Sequence, residues 1–283
     1  MSTKIIFSTY CDDHLQDRFG TKKLVSTFRH FNPEEDIVVY GSKDIKRVHE
    51  ENGVDLSNAL PYLMLDAKNN SGADYVCHLD SDSLVLGSLD AILKMDYDVC
   101  SSLNNADNEG SDERQNRPRQ LWDLPNRRYV SCGCLCTNSE LFLMEWAKLN
   151  QQIVDQFGGV KSFWMCDQNM MNILFHGSNL RNKILDPLDG YYYYGASANS
   201  DEGDPANDPP HIIKEWGLNT WKSWKDIREK DGSFFLGGKI VKILHQSGGG
   251  NKDTAVKLDY SMFNPNVGTI IKEIVNKNSK LSA

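Results

Sequence analysis

The segment His78-Leu79-Asp80-Ser81-Asp82 sets two carboxylates two residues apart at the end of an apolar run. On extended backbone, side chains at that spacing project to one side. Beside an anionic ligand such as a diphosphate, bare carboxylates repel; with Mg²⁺ or Mn²⁺ between them, they bind it. The cation can then neutralise charge building on a departing diphosphate, a Lewis-acid role. The same spacing recurs in Asp96-Tyr97-Asp98. Context separates the two. Asp80 closes an apolar strand and Leu84-Val85-Leu86-Gly87 follows at once, whereas the second copy lies between a helical stretch and Val99-Cys100 and reads as a solvated turn.

Three further groups have chemistry-bearing side chains. His245 ends an apolar run and precedes Gln246-Ser247-Gly248-Gly249-Gly250. Taken alone it is either a structural histidine or a ligand, and the glycines are either a flexible loop or a row of backbone N–H groups able to cradle phosphate. Cys132, Cys134 and Cys136 alternate, so on a strand they would share one face and pack as small residues. They could also be thiolate ligands, but no CxxC pair or nearby His completes a zinc site. Asp12-Asp13 reads as a solvated turn.

These groups need elements to position them. Lys4 to Tyr10 reads as a buried strand, Thr21 to Phe31 as a helix with Leu24, Phe28 and Phe31 on one face, and Asp36 to Tyr40 as a second strand. Ser57 to about Lys68 reads as a helix with Pro61 in its first turn, broken by Asn69-Asn70-Ser71-Gly72. Tyr75 to Leu79 is the strand that leads into the carboxylates. Alternating strands and helices indicate an α/β fold with a mainly parallel sheet covered on both faces. Ligands of such sheets sit beyond the carboxyl ends of the strands, so the tips Ser8-Thr9-Tyr10 and Asp80-Ser81-Asp82 should converge on one cleft.

Tyr129 to Cys136 is a further strand. Thr137 with Glu140 forms a capping box for a helix whose stripe is Phe142, Trp146, Leu149 and Ile153. A helix after Asp167-Gln168 turns Met170, Met171, Leu174 and Phe175 inward. Lys239 to His245 is a late strand and Thr269 to Lys277 a closing helix. Asn104 to Arg119 reads as a mobile loop, and Ala196 to Gly232 as a long irregular insertion or lid.

Length and composition bound the function. The 283 residues fit one α/β domain over the whole chain, 1–283, carrying the 196–232 insertion within it. A formal net charge of −8 argues against a nucleic-acid partner. No stretch approaches the ~20 apolar residues of a spanning helix, and Met1 to Tyr10 is too short for a signal peptide. The seven Cys lack a disulfide-framework spacing, so reduced thiols and a cytoplasmic chain are expected.

Four stretches, in order, resemble glycosyltransferase family 8, which includes glycogenin and bacterial lipopolysaccharide galactosyltransferases. Leu79 to Gly87 is similar to that family's metal motif (the Asp-x-Asp motif). Tyr129-Val130-Ser131-Cys132-Gly133 resembles a segment carrying an Asn or similar residue before Gly. Asp167-Gln168-Asn169-Met170-Met171-Asn172 resembles an Asp-Gln…Asn motif. Val241 to His245, with Gly248 and Lys252, resembles a closing His-x-x-Gly-x-x-Lys motif.

The resemblance implies a GT-A fold, a Rossmann-like sheet with a UDP-sugar at the strand ends and Mn²⁺ (or Mg²⁺) on the diphosphate. By matching positions, Asp80, Asp82 and His245 would be the metal ligands, the imidazole favouring Mn²⁺. The donor would lie along Ser8, Thr9 and Tyr10, with uracil and ribose at the last two, and against Asp80 and Ser81. Gly248 and Lys252 would approach the phosphates. Asp167 and Gln168 would face the anomeric carbon in a positioning or stabilising role. The implied activity is hexosyl or pentosyl transfer with retention, to a glycan or glycoconjugate acceptor contacted by 196–232. Tyr191 to Tyr194 with Trp216, Trp221 and Trp224 would be either a stacking platform for that acceptor or core.

The chain departs from the family pattern in places. Asn251 is an extra residue before Lys252, and no Pro-Trp follows. Simple spacing puts Met64 where the family has a basic residue, with Lys68 one helical turn later as a substitute. Ser131 or Cys132 replaces the Asn. Two other readings stand beside this one: a metal-dependent phosphoesterase using His78, Asp80 and Asp82, and a non-catalytic carbohydrate-binding protein of the same fold.

Overall fold

A computed structural model describes residues 3–11, 13, 20–54, 58–103, 130–157, 166–185, 224–236, 238–245 and 260–279. The chain begins with β1 (Ile5–Tyr10), α1 (Thr21–Phe31), β2 (Ile37–Tyr40), α2 (Ser42–Asn52), α3 (Leu60–Ser71) and β3 (Tyr75–Leu79). Then come β4 (Ser83–Val85), α4 (Asp90–Leu93), β5 (Val99–Leu103), β6 (Val130–Thr137), α5 (Glu140–Phe157), α6 (Cys166–Gly177) and β7 (Asn182–Leu185). The last strands are β8 (Arg228–Lys230), β9 (Ser233–Leu236), β10 (Lys239–Ile240) and β11 (Ile243–His245), followed by α7 (Pro265–Ser279).

The main sheet has the order β2-β1-β3-β6-β5-β7. β1 pairs in parallel with β2 and β3, and β5 with β7, while β6 runs antiparallel to both β3 and β5. The expected mainly parallel α/β sheet is therefore present, with one reversed strand. Strand alternation sorts the core. Ile6, Val76 and Leu135 pack on one face with α2, α3, α5 and α6. Ile5, Phe7, Tyr75 and Cys77 pack on the other with Leu24 and Phe28 of α1 and with α4. Phe28 is fully buried, and burial of such a ring contributes about 1.5–3 kcal/mol. A third cluster joins Leu84 and Leu244 to Trp224, Phe234, Val267 and Ile271 beneath α7.

α3 ends where Gly72 takes φ 62°, a left-handed turn that favours glycine and sends the chain into β3. Several details differ from the expectations. α2 was not legible in the sequence; Ile45 and Val48 are its only buried residues. The cap of α5 is Ser139, whose Oγ accepts from the Phe142 N–H at 3.1 Å, while Thr137 Oγ donates to the Asp98 carbonyl. The run Lys239 to His245 divides into β10 and β11, which belong to different small sheets.

Cys132 does not share a face with Cys134 and Cys136. A register shift between Ser101 and Leu103 breaks the alternation of β6, leaving Cys132 on the α5–α6 side and the other two opposite. Cys11, Cys77, Cys100, Cys132, Cys134 and Cys136 are all free. Asp96 and Asp98 lie in a surface bend, as expected, each in an exposed ion pair: Asp96 with Lys183 at 2.7 Å and Asp98 with Arg181 at 2.6 Å, while Tyr97 between them is buried. Among the described residues no helix is long and apolar enough to cross a membrane. Residues 104–119, Tyr191 to Tyr194, Trp216 and Trp221 lie outside the described residues, as does 196–223 of the expected insertion.

Candidate metal and donor site

β3 is buried along its whole length, and at its carboxyl end the chain turns sharply. The Asp80 N–H donates to the Gly133 carbonyl at 2.9 Å, and the Ser83 N–H returns to the Asp80 carbonyl at 3.0 Å. This turn lifts the chain out of the main sheet and into β4. β4 pairs antiparallel with β11 in the register Val85–Ile243, Leu84–Leu244 and Ser83–His245. The register is fixed because Leu84 and Leu244 face the α7 cluster while Val85 and Ile243 face the sheet. His245 is thereby carried to the turn from the far end of the chain.

The result is a compact donor set. His245 Nε2 lies 2.7 Å from Asp82 Oδ1 and 3.1 Å from Asp80 Oδ2. Among the described residues, Asp80, Asp82 and His245 are the one group of three His, Cys, Asp or Glu whose ligand atoms all lie within 4.8 Å of one another. His78 Nε2 donates to the other Asp80 oxygen, Oδ1, at 3.1 Å. The trio expected under the phosphoesterase reading, His78 with Asp80 and Asp82, is thus not the one gathered.

Charge explains how these groups tolerate each other. Burial opposes ionisation of Asp80, but hydrogen bonds from His245 and His78 hold it well below the usual carboxylate range. Burial raises Asp82, and the Asp80 charge adds to it. Burial alone would lower His245, yet the Asp82 and Asp80 carboxylates push it up to about 10. An imidazolium therefore offsets the two carboxylates in the protein alone. Two carboxylate oxygens and an imidazole nitrogen facing one point also suit a Mn²⁺-type ion, which accepts mixed N/O ligands. Such an ion would take the place of the proton on the histidine.

The expected donor residues fall in three places. Ser8 is the register partner of His78 and Thr9 that of Val39. Both are buried, and their hydroxyls have no hydrogen-bond partner among the described residues. By alternation Ser8 and Tyr10 share the face of His78, and Thr9 turns to the other. The Tyr10 ring stands 5.6 Å from the His78 imidazole, tilted 34°. Ser81 lies within the turn between the two aspartates, while Gly248 and Lys252 lie outside the described residues.

Lys68 is not brought to this cluster. Its Nζ bonds Glu140 Oε1 at 2.8 Å, in a groove of about 550 Å³ that includes Thr3, Asp74 and Tyr75. That groove is at the amino end of β3, a strand length from Asp80. Trp224 is core, 3% exposed and stacked on Phe263 at 5.3 Å.

Asp167 and Gln168 open α6 against the bulged start of β6. The Cys132 N–H donates to Gln168 Oε1 at 3.2 Å, and the Cys132 thiol lies 3.5 Å from that oxygen and 4.0 Å from Asp167 Oδ2. Burial pushes the thiol well up, and the Asp167 and Asp80 carboxylates add to the effect. The Asp167 carbonyl accepts from Trp146 Nε1 at 2.7 Å. Gln168 is 3% exposed, and with Oε1 turned to an obligatory donor its Nε2 has no partner among the described residues. Cys132 thus links the two motifs, a role the sequence reading did not give it. His78 and Asn172 entered the sequence analysis only as part of the phosphoesterase trio and as the last residue of the Asp-Gln…Asn motif; that one bonds Asp80 and the other binds β6 to α6 is seen only in the fold.

No protein-family model matches the chain, and no curated protein matches it. Solved structures do. The bifunctional glycosyltransferase WbbM, in its apo form, is similar over 98% of this chain and 50% of its own, with a TM-score of 0.59 and 14% identity. The chain therefore spans half the length of WbbM. The galactosyltransferase LgtC, in complex with donor and acceptor sugar analogs, is similar over 96% of this chain and 95% of its own, at a TM-score of 0.50 and 13% identity. An active-site Gln-to-Glu mutant of LgtC gives a TM-score of 0.52 at 12% identity over the same shares. At these identities the likeness is one of fold, and the chain has the GT-A fold of glycosyltransferases, in keeping with its motif resemblance to family 8.

Proposed function

We propose that the protein is a metal-dependent glycosyltransferase that moves a hexosyl or pentosyl group from a UDP-sugar to a glycan or glycoconjugate, with retention. The observation that carries this reading is the Asp80–Asp82–His245 donor set at the carboxyl end of β3, within a GT-A fold. LgtC, of the same fold, holds donor and acceptor sugar analogs. In this reading the three residues hold Mn²⁺ (or Mg²⁺), which when bound supplies charge neutralisation to a departing UDP. Ser8, Thr9, Tyr10 and Ser81 line the nucleotide, and Gly248 and Lys252 serve the phosphates. Lys68 is left out because it faces the opposite end of β3.

Asp167 and Gln168 position the sugar. The Gln168 amide is oriented by the Cys132 peptide so that its Nε2 protons are offered to an oxygen of the ligand. A buried donor without a partner costs about 1–3 kcal/mol, and a sugar hydroxyl would remove that penalty. Alignment of an acceptor hydroxyl against the held anomeric carbon supplies the remaining rate advantage. The whole chain forms the transferase, with 196–232 on the acceptor side, and it works without nucleic acid and in the cytoplasm.

The direct test is UDP release from a panel of UDP-sugars with Mn²⁺, with and without simple sugar acceptors. At least one UDP-sugar is expected to turn over, with Asp82→Asn reducing the rate at least 100-fold and chelator abolishing it. Phosphate-ester cleavage without any UDP-sugar turnover would instead show the reading to be wrong.

A further inference from the structure

We propose that His78 is a positioning residue for the divalent cation, selecting which Asp80 oxygen faces it; the inference rests on the metal-site reading above. His78 is 1% exposed in the middle of the sheet, with Ser8 as its register partner on β1 and Leu135 on β6. The neighbouring residues Ile6, Val76 and Leu135 on this face are apolar. An imidazole in that row forgoes the stability an aliphatic side chain would give, unless it has a polar task. Its Nε2 donates to Asp80 Oδ1 at 3.1 Å, while Asp80 Oδ2 faces His245 Nε2 at 3.1 Å. The carboxylate is therefore divided: Oδ1 is committed to His78, and Oδ2 alone points to the space shared with Asp82 and His245. The Tyr10 ring beside the imidazole, at 5.6 Å, limits its rotation. Hydrogen-bonded partners behind a ligating carboxylate fix its angle of approach and tune its affinity, and their loss typically costs about 10–100-fold in metal binding.

With Oδ1 held by His78, Asp80 would offer one oxygen, Oδ2, to a Mn²⁺-type ion. The test is a titration of Mn²⁺ into the full-length protein, with and without UDP, following free Mn²⁺ by electron paramagnetic resonance. Three variants separate position from packing. His78→Leu keeps the volume and removes the donor. His78→Gln places an amide N–H close to where Nε2 sits, and His78→Asn places one too short to reach Oδ1. Expected are a dissociation constant about 10–100-fold weaker for Leu and Asn and one within about 3-fold of wild type for Gln. If Leu does not fold, the Gln–Asn contrast carries the test. Equal affinities for wild type, Asn and Gln overturn the role of His78. Wild-type protein that takes up no Mn²⁺, with or without UDP, overturns the metal-site reading itself, and the inference with it.

Discussion

The carboxamide of Asn172 does for the start of β6 what a neighbouring strand would do. Its Oδ1 accepts from the Val130 N–H at 2.8 Å, and its Nδ2 donates to the Val130 carbonyl at 2.7 Å and to the Gln168 carbonyl at 2.9 Å. It thereby binds the bulged strand that holds Cys132 to the helix that holds Asp167 and Gln168. Asn172→Ala strands the buried Val130 N–H and carbonyl, so a loss of roughly 2–4 kcal/mol is expected in denaturant unfolding. A loss under about 0.5 kcal/mol, the level of an ordinary surface change, would show that β6 is held by other contacts. At this scale the sequence was legible where chemistry is local. Asp80 and Asp82 are two residues apart on one turn, and spacing alone gathered them. His245 joined them only through the motif resemblance, because nothing local couples β11 to β4. Lys68 failed for a geometric reason. One turn after Met64 keeps the helical face, but α3 runs opposite to β3, so each later turn moves away from the strand tip.

The elements are tied at their ends by charge as well as by ladders. Asp98, just before β5, accepts from the Arg181 backbone N–H at 3.0 Å and from its guanidinium at 2.6 Å, joining β5 to the start of β7. The Arg181 side chain and backbone draw its carboxyl down to about 2. A carboxylate depressed in the folded state contributes stability above its unfolded value of about 3.9, and that contribution is lost as pH falls through the folded value. The melting-temperature difference between wild type and Asp98→Asn is therefore expected to be constant from pH 7 to about 5 and to close between about pH 4 and 2. A gap that persists unchanged through this window would assign the effect to packing. Elements with a broad apolar face, such as α1 and α3, could be read from the sequence. α2 could not, since two buried residues in eleven give too narrow a stripe to register as a period. β10 and β11 read as one strand because a change of sheet leaves no mark on an alternating run, and the β6 bulge was equally silent.

For the whole molecule, the reversed β6 and the outlying β4–β11 pair are what turn an α/β sheet into a site. β6 supplies the Gly133 carbonyl that holds Asp80, and the β4–β11 pair brings in His245 against the α7 cluster. A cation held by Asp80, Asp82 and His245 would bridge the main sheet to that outlying pair, so ligand binding should register in global stability. The most direct measurement is the thermal unfolding of wild type and Asp82→Ala with UDP, ADP or GDP, each with Mn²⁺ and with chelator. A ligand at ~100 times its dissociation constant stabilises the native state by roughly 2.7 kcal/mol. The account predicts a clear upward shift for wild type with UDP and Mn²⁺ together, none with chelator, and none for Asp82→Ala. A wild-type transition that no nucleotide moves, with or without metal, would contradict it.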